Sequence, residues 1–230
     1  MARKDRVPNP PKRPQAPQRR HTATDPAVAA RRRRNLLYAL GAASLLALAI
    51  VLGAVFLSGS ESSERQVLED AGCTLQTFPA LKGTHVANPD AKPKWNSSPP
   101  TSGPHSPTPA VWGSYNDPVE LIQSVHNLEH GGVVIHYGPD VPEQTVTQIK
   151  DFYNEDPNGL IVAPLPSLKP KDAIMLSAWT APERGAGADD GRGYLARCTK
   201  FDEKAFSKFV DEHRYKGPER VPAELLTPGS

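Results

Sequence analysis

The sequence predicts an α+β protein: a single N-terminal transmembrane helix followed by one compact extracytoplasmic α+β domain. Three observations carry this reading. Residues 36–57 form one unbroken apolar segment of 22 residues with no charge. Beyond it, short β-branched runs alternate with amphipathic helical patterns, which interleaves strands with helices. Charge is also split along the chain. Residues 1–34 hold 11 of the 27 Lys and Arg but only 2 of the 25 Asp and Glu, a net of +9 that leaves −7 for the remainder. A multispan transporter, a wholly soluble cytosolic enzyme and a chain disordered throughout are excluded. The acidic folded part argues against nucleic acid as a partner.

Residues 1–35 read as a disordered basic cytoplasmic tail. Pro8, Pro10, Pro11, Pro14, Pro17 and Pro26 punctuate it, and almost no large apolar side chain is present to offset the entropy of ordering. The segment 36–57, as a helix rising ~1.5 Å per residue, reaches about 33 Å, enough for a hydrocarbon core of ~30 Å. Arg31–Arg34 stand directly before it, and Ser58-Gly-Ser-Glu-Ser-Ser-Glu follows. The positive-inside rule then places the N-terminus in the cytoplasm and residues 58–230 outside, at the plasma membrane. A cleaved signal peptide is the rival reading. The long N-region, an apolar stretch exceeding the usual ~7–15 residues and the lack of an A-x-A site after Leu57 oppose it.

Outside the membrane, residues 58–72 read as a linker, 73–220 as the α+β domain and 221–230 as a C-terminal tail. Cys73 and Cys198 are the only cysteines, and both lie on the outer side. An oxidising compartment predicts that they are joined. No C-x-x-C is present to suggest redox chemistry.

Prolines crowd residues 87–110, which predicts an extended loop, and a long ordered loop inside a compact domain leans functional. Asp117-Pro-Val-Glu120 has the form of a helix start, with Val119, Ile122 and Val125 on one face and Gly131 as the stop. Gly132–Tyr137 then reads as a β-branched strand. A second helix is expected to be capped at Asp140 and to turn Val146, Ile149, Phe152 and Tyr153 inward. A third is expected to begin at Asp202, with Phe201 stapled onto Phe206 and Phe209 and Val210 buried. Leu160–Pro164, Ala173–Trp179 and Gly193–Cys198 complete the strands.

Five of the seven histidines fall between positions 85 and 136: His85, His105, His126, His130 and His136. Histidine is the commonest metal ligand. On a helix, His126-Asn-Leu-Glu-His130 sets two imidazoles one turn apart on one face, a spacing that holds zinc or copper. The loop Pro99–His105 can present a third nitrogen. The metal ligands expected are therefore His105, His126 and His130, with His85, Glu129 and Met175 as further candidates. Met175 matters if the ion is copper, and core filling is its plainer role. The pentapeptide also fits H-x-x-E-H, in which Glu129 would activate a zinc-bound water as catalytic base. A purely structural role for these histidines is the third reading. His136 is expected to be a surface-facing strand residue, and His213 to sit favourably at a helix C-terminus.

The phrases Asn96-Ser-Ser-Pro-Pro-Thr-Ser-Gly-Pro-His105, Val125-His-Asn-Leu-Glu-His-Gly-Gly-Val-Val-Ile-His-Tyr137 and Gly217-Pro-Glu219 resemble the bacterial family called domain of unknown function 3105. The resemblance covers nearly all of residues 70–220, and a Gly-rich insert at 185–193 departs from it. It implies one N-terminal span and a cysteine pair corresponding to Cys73 and Cys198. It implies no reaction, substrate or protein partner. The function expected is a membrane-anchored domain that binds a transition metal or small ligand at a histidine-rich site. A zinc hydrolase and a structural or interaction module of the cell envelope are the alternatives.

Overall fold

Six strands build one mixed sheet: β1 (Thr74–Pro79), β2 (Gly113–Ser114), β3 (Val133–Tyr137), β4 (Leu160–Pro164), β5 (Ile174–Thr180) and β6 (Arg192–Cys198). Their order across the sheet is β1-β6-β5-β3-β4-β2. β1, β6, β5 and β3 pair antiparallel, while β3, β4 and β2 pair parallel. The helices are α1 (63–70), α2 (Leu121–Glu129), α3 (Glu143–Glu155) and α4 (Glu203–His213). The parallel neighbours β3 and β4 are joined by α3, the crossover that parallel pairing requires.

This computed structural model describes residues 63–88, 92–182 and 191–230, with positions 31, 35, 37, 38 and 40. The chain divides into two units, Met1–Val55 and Phe56–Ser230. In the first, the five described positions are helical and exposed. Nearly all of the basic tail and of the span expected at 36–57 lies outside the described residues, as does most of the Gly-rich insert. Among the described residues, no helix is long and apolar enough to cross a membrane.

Each face of the sheet has its own apolar layer. Val133, Ile135, Leu160, Val162, Ile174, Leu176 and Ala178 pack with Leu68 of α1, Ile149 and Tyr153 of α3, and Phe206 and Phe209 of α4. The alternate residues Val134, Ile161, Ala163 and Trp179 face Val125 and Leu128 of α2, together with Trp112 and Leu226. Both faces are covered, so all five residues of β3 are buried. His136 is therefore buried at 2 % exposure and does not face the surface as its alternation suggested. A central strand with cover on both sides has no solvent face to offer.

Local signals hold with small shifts. The Asp202 side chain accepts from the Ala205 N–H at 3.0 Å, and the Phe201 and Phe206 rings lie 4.9 Å apart, which is the expected cap and staple. α2 begins later than Asp117-Pro118 suggests. Glu120 is still extended (φ −62°, ψ 125°), and its carbonyl accepts from the Gln123 and Ser124 N–H groups and from Ser124 Oγ, so no N-cap side chain starts the helix. α3 likewise starts from the Pro142 carbonyl, while Asp140 donates its N–H to Lys171.

Two stretches read as linker and tail carry structure. Residues 63–70 are helical with Glu64 and Leu68 buried. At the other end, Ala223–Leu225 form a 3-10 turn, Leu226 is 1 % exposed, and Ser230 accepts from the Trp112 N–H. Cys73 and Cys198 are bonded, with Cα atoms 4.1 Å apart, joining the start of β1 to the end of β6.

Candidate metal centre

α2 is polar along most of its length and yet buried, because loops cover it on the sides the sheet leaves open. Asn127 accepts from the Ala110 N–H at 2.9 Å and donates to the Ala110 carbonyl at 2.8 Å, clamping the proline-rich segment to the helix. That segment is shaped by its own side chains. Ser97 Oγ accepts from the Thr101 N–H, and Trp95 Nε1 donates to the Pro104 carbonyl. His105 follows and pairs with residues 84–86 as a short parallel bridge, which brings His85 alongside it.

Beyond the C-terminus of α2, Gly131 takes φ +86°, where a side chain would strain the backbone. The segment 215–219 then docks on the helix end. Tyr215 donates its N–H to Gly131 at 2.7 Å and Glu219 donates to the Glu129 carbonyl at 3.0 Å. A Cβ on Gly217 would stand 2.3 Å from that same carbonyl, so only glycine permits the approach. Glu219 is thereby delivered to His130, its Oε2 3.2 Å from Nε2.

Two rings are fixed in orientation. His105 Nδ1 lies 2.7 Å from the Gly103 carbonyl, and His126 Nδ1 lies 2.7 Å from the Ser106 carbonyl. A carbonyl only accepts, so each Nδ1 carries the proton and donates. Each Nε2 is then the coordinating atom, the orientation that metal-bound histidines are given by such partners. His126 Nε2 faces His130 Nε2 at 3.0 Å. His105 Nε2 is completely buried and 2.9 Å from Glu129 Oε2. The same oxygen is 3.9 Å from His85 Nε2.

The cluster polarises its members differently. Burial alone would depress His105, but the Glu129 carboxylate, the Gly103 carbonyl and the more distant Glu219 charge outweigh it and raise the imidazole above its usual range. His126 is lowered, chiefly by burial and further by His130 and His105, against the Ser106 carbonyl. Burial pushes Glu129 upward, but the His105 contact and the surrounding imidazoles hold it below the usual carboxylate range.

Among the described residues two donor groups result, each with its atoms within 4.8 Å of one another: His85, His105 and His126, and His126, His130 and Glu219. Donors around an ion with ~2.0–2.1 Å bonds stand about 3.3 Å apart in a tetrahedron. The contacts of 2.9, 3.0 and 3.2 Å lie just under that spacing. His105, His126 and His130, the set expected from sequence, are thus distributed over two overlapping groups with His126 in both. His85 takes a fuller part than its plain setting in Gly-Thr-His85-Val suggests. Glu219 was not anticipated as a donor, and its signal lay in Gly217-Pro-Glu219, whose glycine the docking requires. Met175 is buried among Leu165, Leu168, Ala173 and Leu195.

Fold and site together define an α+β domain with a histidine–carboxylate cluster built around the end of one helix. The chain belongs to the family described as protein of unknown function DUF3105, whose model matches residues 85–224, more than half of the chain. No curated protein and no solved structure matches it.

Proposed function

We propose that this domain binds a transition metal ion, zinc or copper, at the histidine cluster, on the extracytoplasmic side of a membrane to which residues 36–57 anchor it. The observation that carries the reading is the pair of buried imidazoles, His105 and His126, each locked by a backbone carbonyl so that Nε2 is aimed into a shared space with His85. Imidazole suits both zinc and copper. Metal analysis and calorimetric titration of the purified full-length chain test it. Stoichiometric Zn²⁺ or Cu²⁺ that is lost in His126→Ala supports the reading, and a chain that stays metal-free in saturating ion refutes it. The anchor is tested separately. Residues 58–230 should be open to protease on intact cells, and their protection would reverse the orientation.

A catalytic reading is favoured by one observation. His126, His130 and Glu219 make a two-histidine, one-carboxylate set, which in zinc enzymes leaves a fourth position for water. Glu129 is the base that H-x-x-E-H would supply, yet its Oε2 contacts His105 and its carboxyl is held low. Hydrolysis of peptide or ester probes that disappears in Glu129→Gln while the ion is retained would establish this reading. Activity surviving in that variant would eliminate Glu129 as base.

A further inference from the structure

We propose that the two donor groups are alternative stations for one ion, with His126 Nε2 the ligand common to both. The inference rests on the metal-binding reading above and assigns the site a loading step and a holding step. His126 has one nitrogen to give, because its Nδ1 is committed to the Ser106 carbonyl. A single imidazole lone pair binds a single ion, so the groups cannot both be complete at once.

The stations differ in the way such a division of labour requires. At the outer one, the Glu219 side chain is 59 % exposed and the His130 side chain 18 % exposed. Its three donors leave coordination positions open to water and to an arriving aquo-ion. At the inner one, the His85 side chain is 55 % exposed, but the His105 side chain is wholly buried, and Glu129 Oε2 stands 2.9 Å from His105 Nε2 and 3.9 Å from His85 Nε2. Glu129 can add a donor beside His85 and His105, which gives the inner group more ligands than the outer. A divalent cation therefore enters at Glu219 and His130 and is held by His85, His105 and Glu129. The bonds to His130 Nε2 and Glu219 Oε2 break as those to His105, His85 and Glu129 form, and the bond to His126 persists. No electron moves, the ion keeps its charge, and any proton on His105 Nε2 leaves to solvent. The cargo class is a labile divalent ion taken from solution and retained, with no second ion needed.

Zn²⁺ titration of the full-length chain gives the stoichiometry, and Co²⁺ serves as a visible probe of coordination. Wild type should take one tight equivalent. His85→Ala and Glu219→Gln should each still take one, with different Co²⁺ spectra because the ion rests in different stations. Glu219→Gln should slow loading about tenfold or more, the scale on which lost metal partners act. The double variant and His126→Ala should lose tight binding. Glu219 is exposed and the Gln replacement isosteric, and thermal melts of the metal-free variants exclude misfolding. Two tight equivalents in wild type, or identical Co²⁺ spectra in the single variants, overturn the shared-station proposal while leaving metal binding intact. No bound ion in wild type overturns both.

Discussion

At the scale of residues, His126-Asn-Leu-Glu-His130 gives a separate task to each position. His126 and His130 offer nitrogens, Asn127 grips a loop, Leu128 is core, and Glu129 meets His105. Helical spacing made the two imidazoles legible. It did not reveal Asn127, whose partner lies 17 residues upstream, nor Glu219, which reaches the site through backbone docking. His136 shows how a residue was misread. Alternation gave it an outward direction, but the sheet has a second covered face. Among the described residues neither of its ring nitrogens has a hydrogen-bond partner, and burial lowers its pKa to about 4 from the usual 6.5. The unfolded chain takes up a proton below pH ~6.5 while the folded chain resists until pH ~4. The stabilisation from neutral His136 is thus complete above the first value and falls away toward the second, by roughly 3 kcal/mol in total. Denaturant titrations at about pH 7 and about pH 4.5 should show wild type losing roughly that much more stability than His136→Leu. Equal losses would mean that His136 is protonated or solvated in the folded state.

At the scale of elements, α4 was readable because its signals are local: a cap three residues from its donor and a staple five residues long. α2 was less so, since its first turn has no side-chain cap and its polar faces are buried by distant loops. The loop 95–112 and α2 are one device, joined by the two Asn127 bonds to Ala110. Asn127→Ala should leave a buried N–H and carbonyl unpaired, destabilising the domain by about 2–4 kcal/mol, since each such group costs ~1–3 kcal/mol. It should also weaken Zn²⁺ binding about tenfold, as lost positioning contacts do. Paired denaturation and Zn²⁺ titrations check both effects. A change below about 0.5 kcal/mol, the level typical of surface substitutions, would show that the clamp does not hold the loop.

Across the whole molecule, the two ends of the domain are fastened to each other. The Cys73–Cys198 bond spans 125 residues, and its removal in Cys73→Ala/Cys198→Ala should cost up to ~4–5 kcal/mol by the loop-entropy account. An unchanged melting temperature would show that the staple is idle. Close by in sequence, Glu64 of α1 pairs with His213 of α4 at 2.7 Å, and both side chains are buried. Glu64→Leu would strand His213 among Tyr194 and Phe209 without its carboxylate. A buried polar group left without its hydrogen-bond partner typically costs ~1–3 kcal/mol. Thermal unfolding should register that, and a neutral result would mean that the His213 environment adapts. The disulfide was legible from cysteine count and the compartment expected for this part of the chain. The Glu64–His213 contact was not, because it links positions 149 apart through a helix that sequence presented as linker.

The donors of the cluster come from positions 85, 105, 126, 129, 130 and 219, brought together by a strand-like bridge, one helix and a docked C-terminal segment. Contacts so far apart in sequence form late, after the loops between them have closed. If the cluster binds an ion as proposed, capture at the complete site follows folding. The order of emergence during synthesis adds an asymmetry. His85, His105 and His126 leave the ribosome long before Glu219, so the donors proposed to hold the ion are made well ahead of the one proposed to admit it. On that proposal, a chain truncated before Glu219 would retain the residues that keep an ion while lacking the carboxylate that admits it.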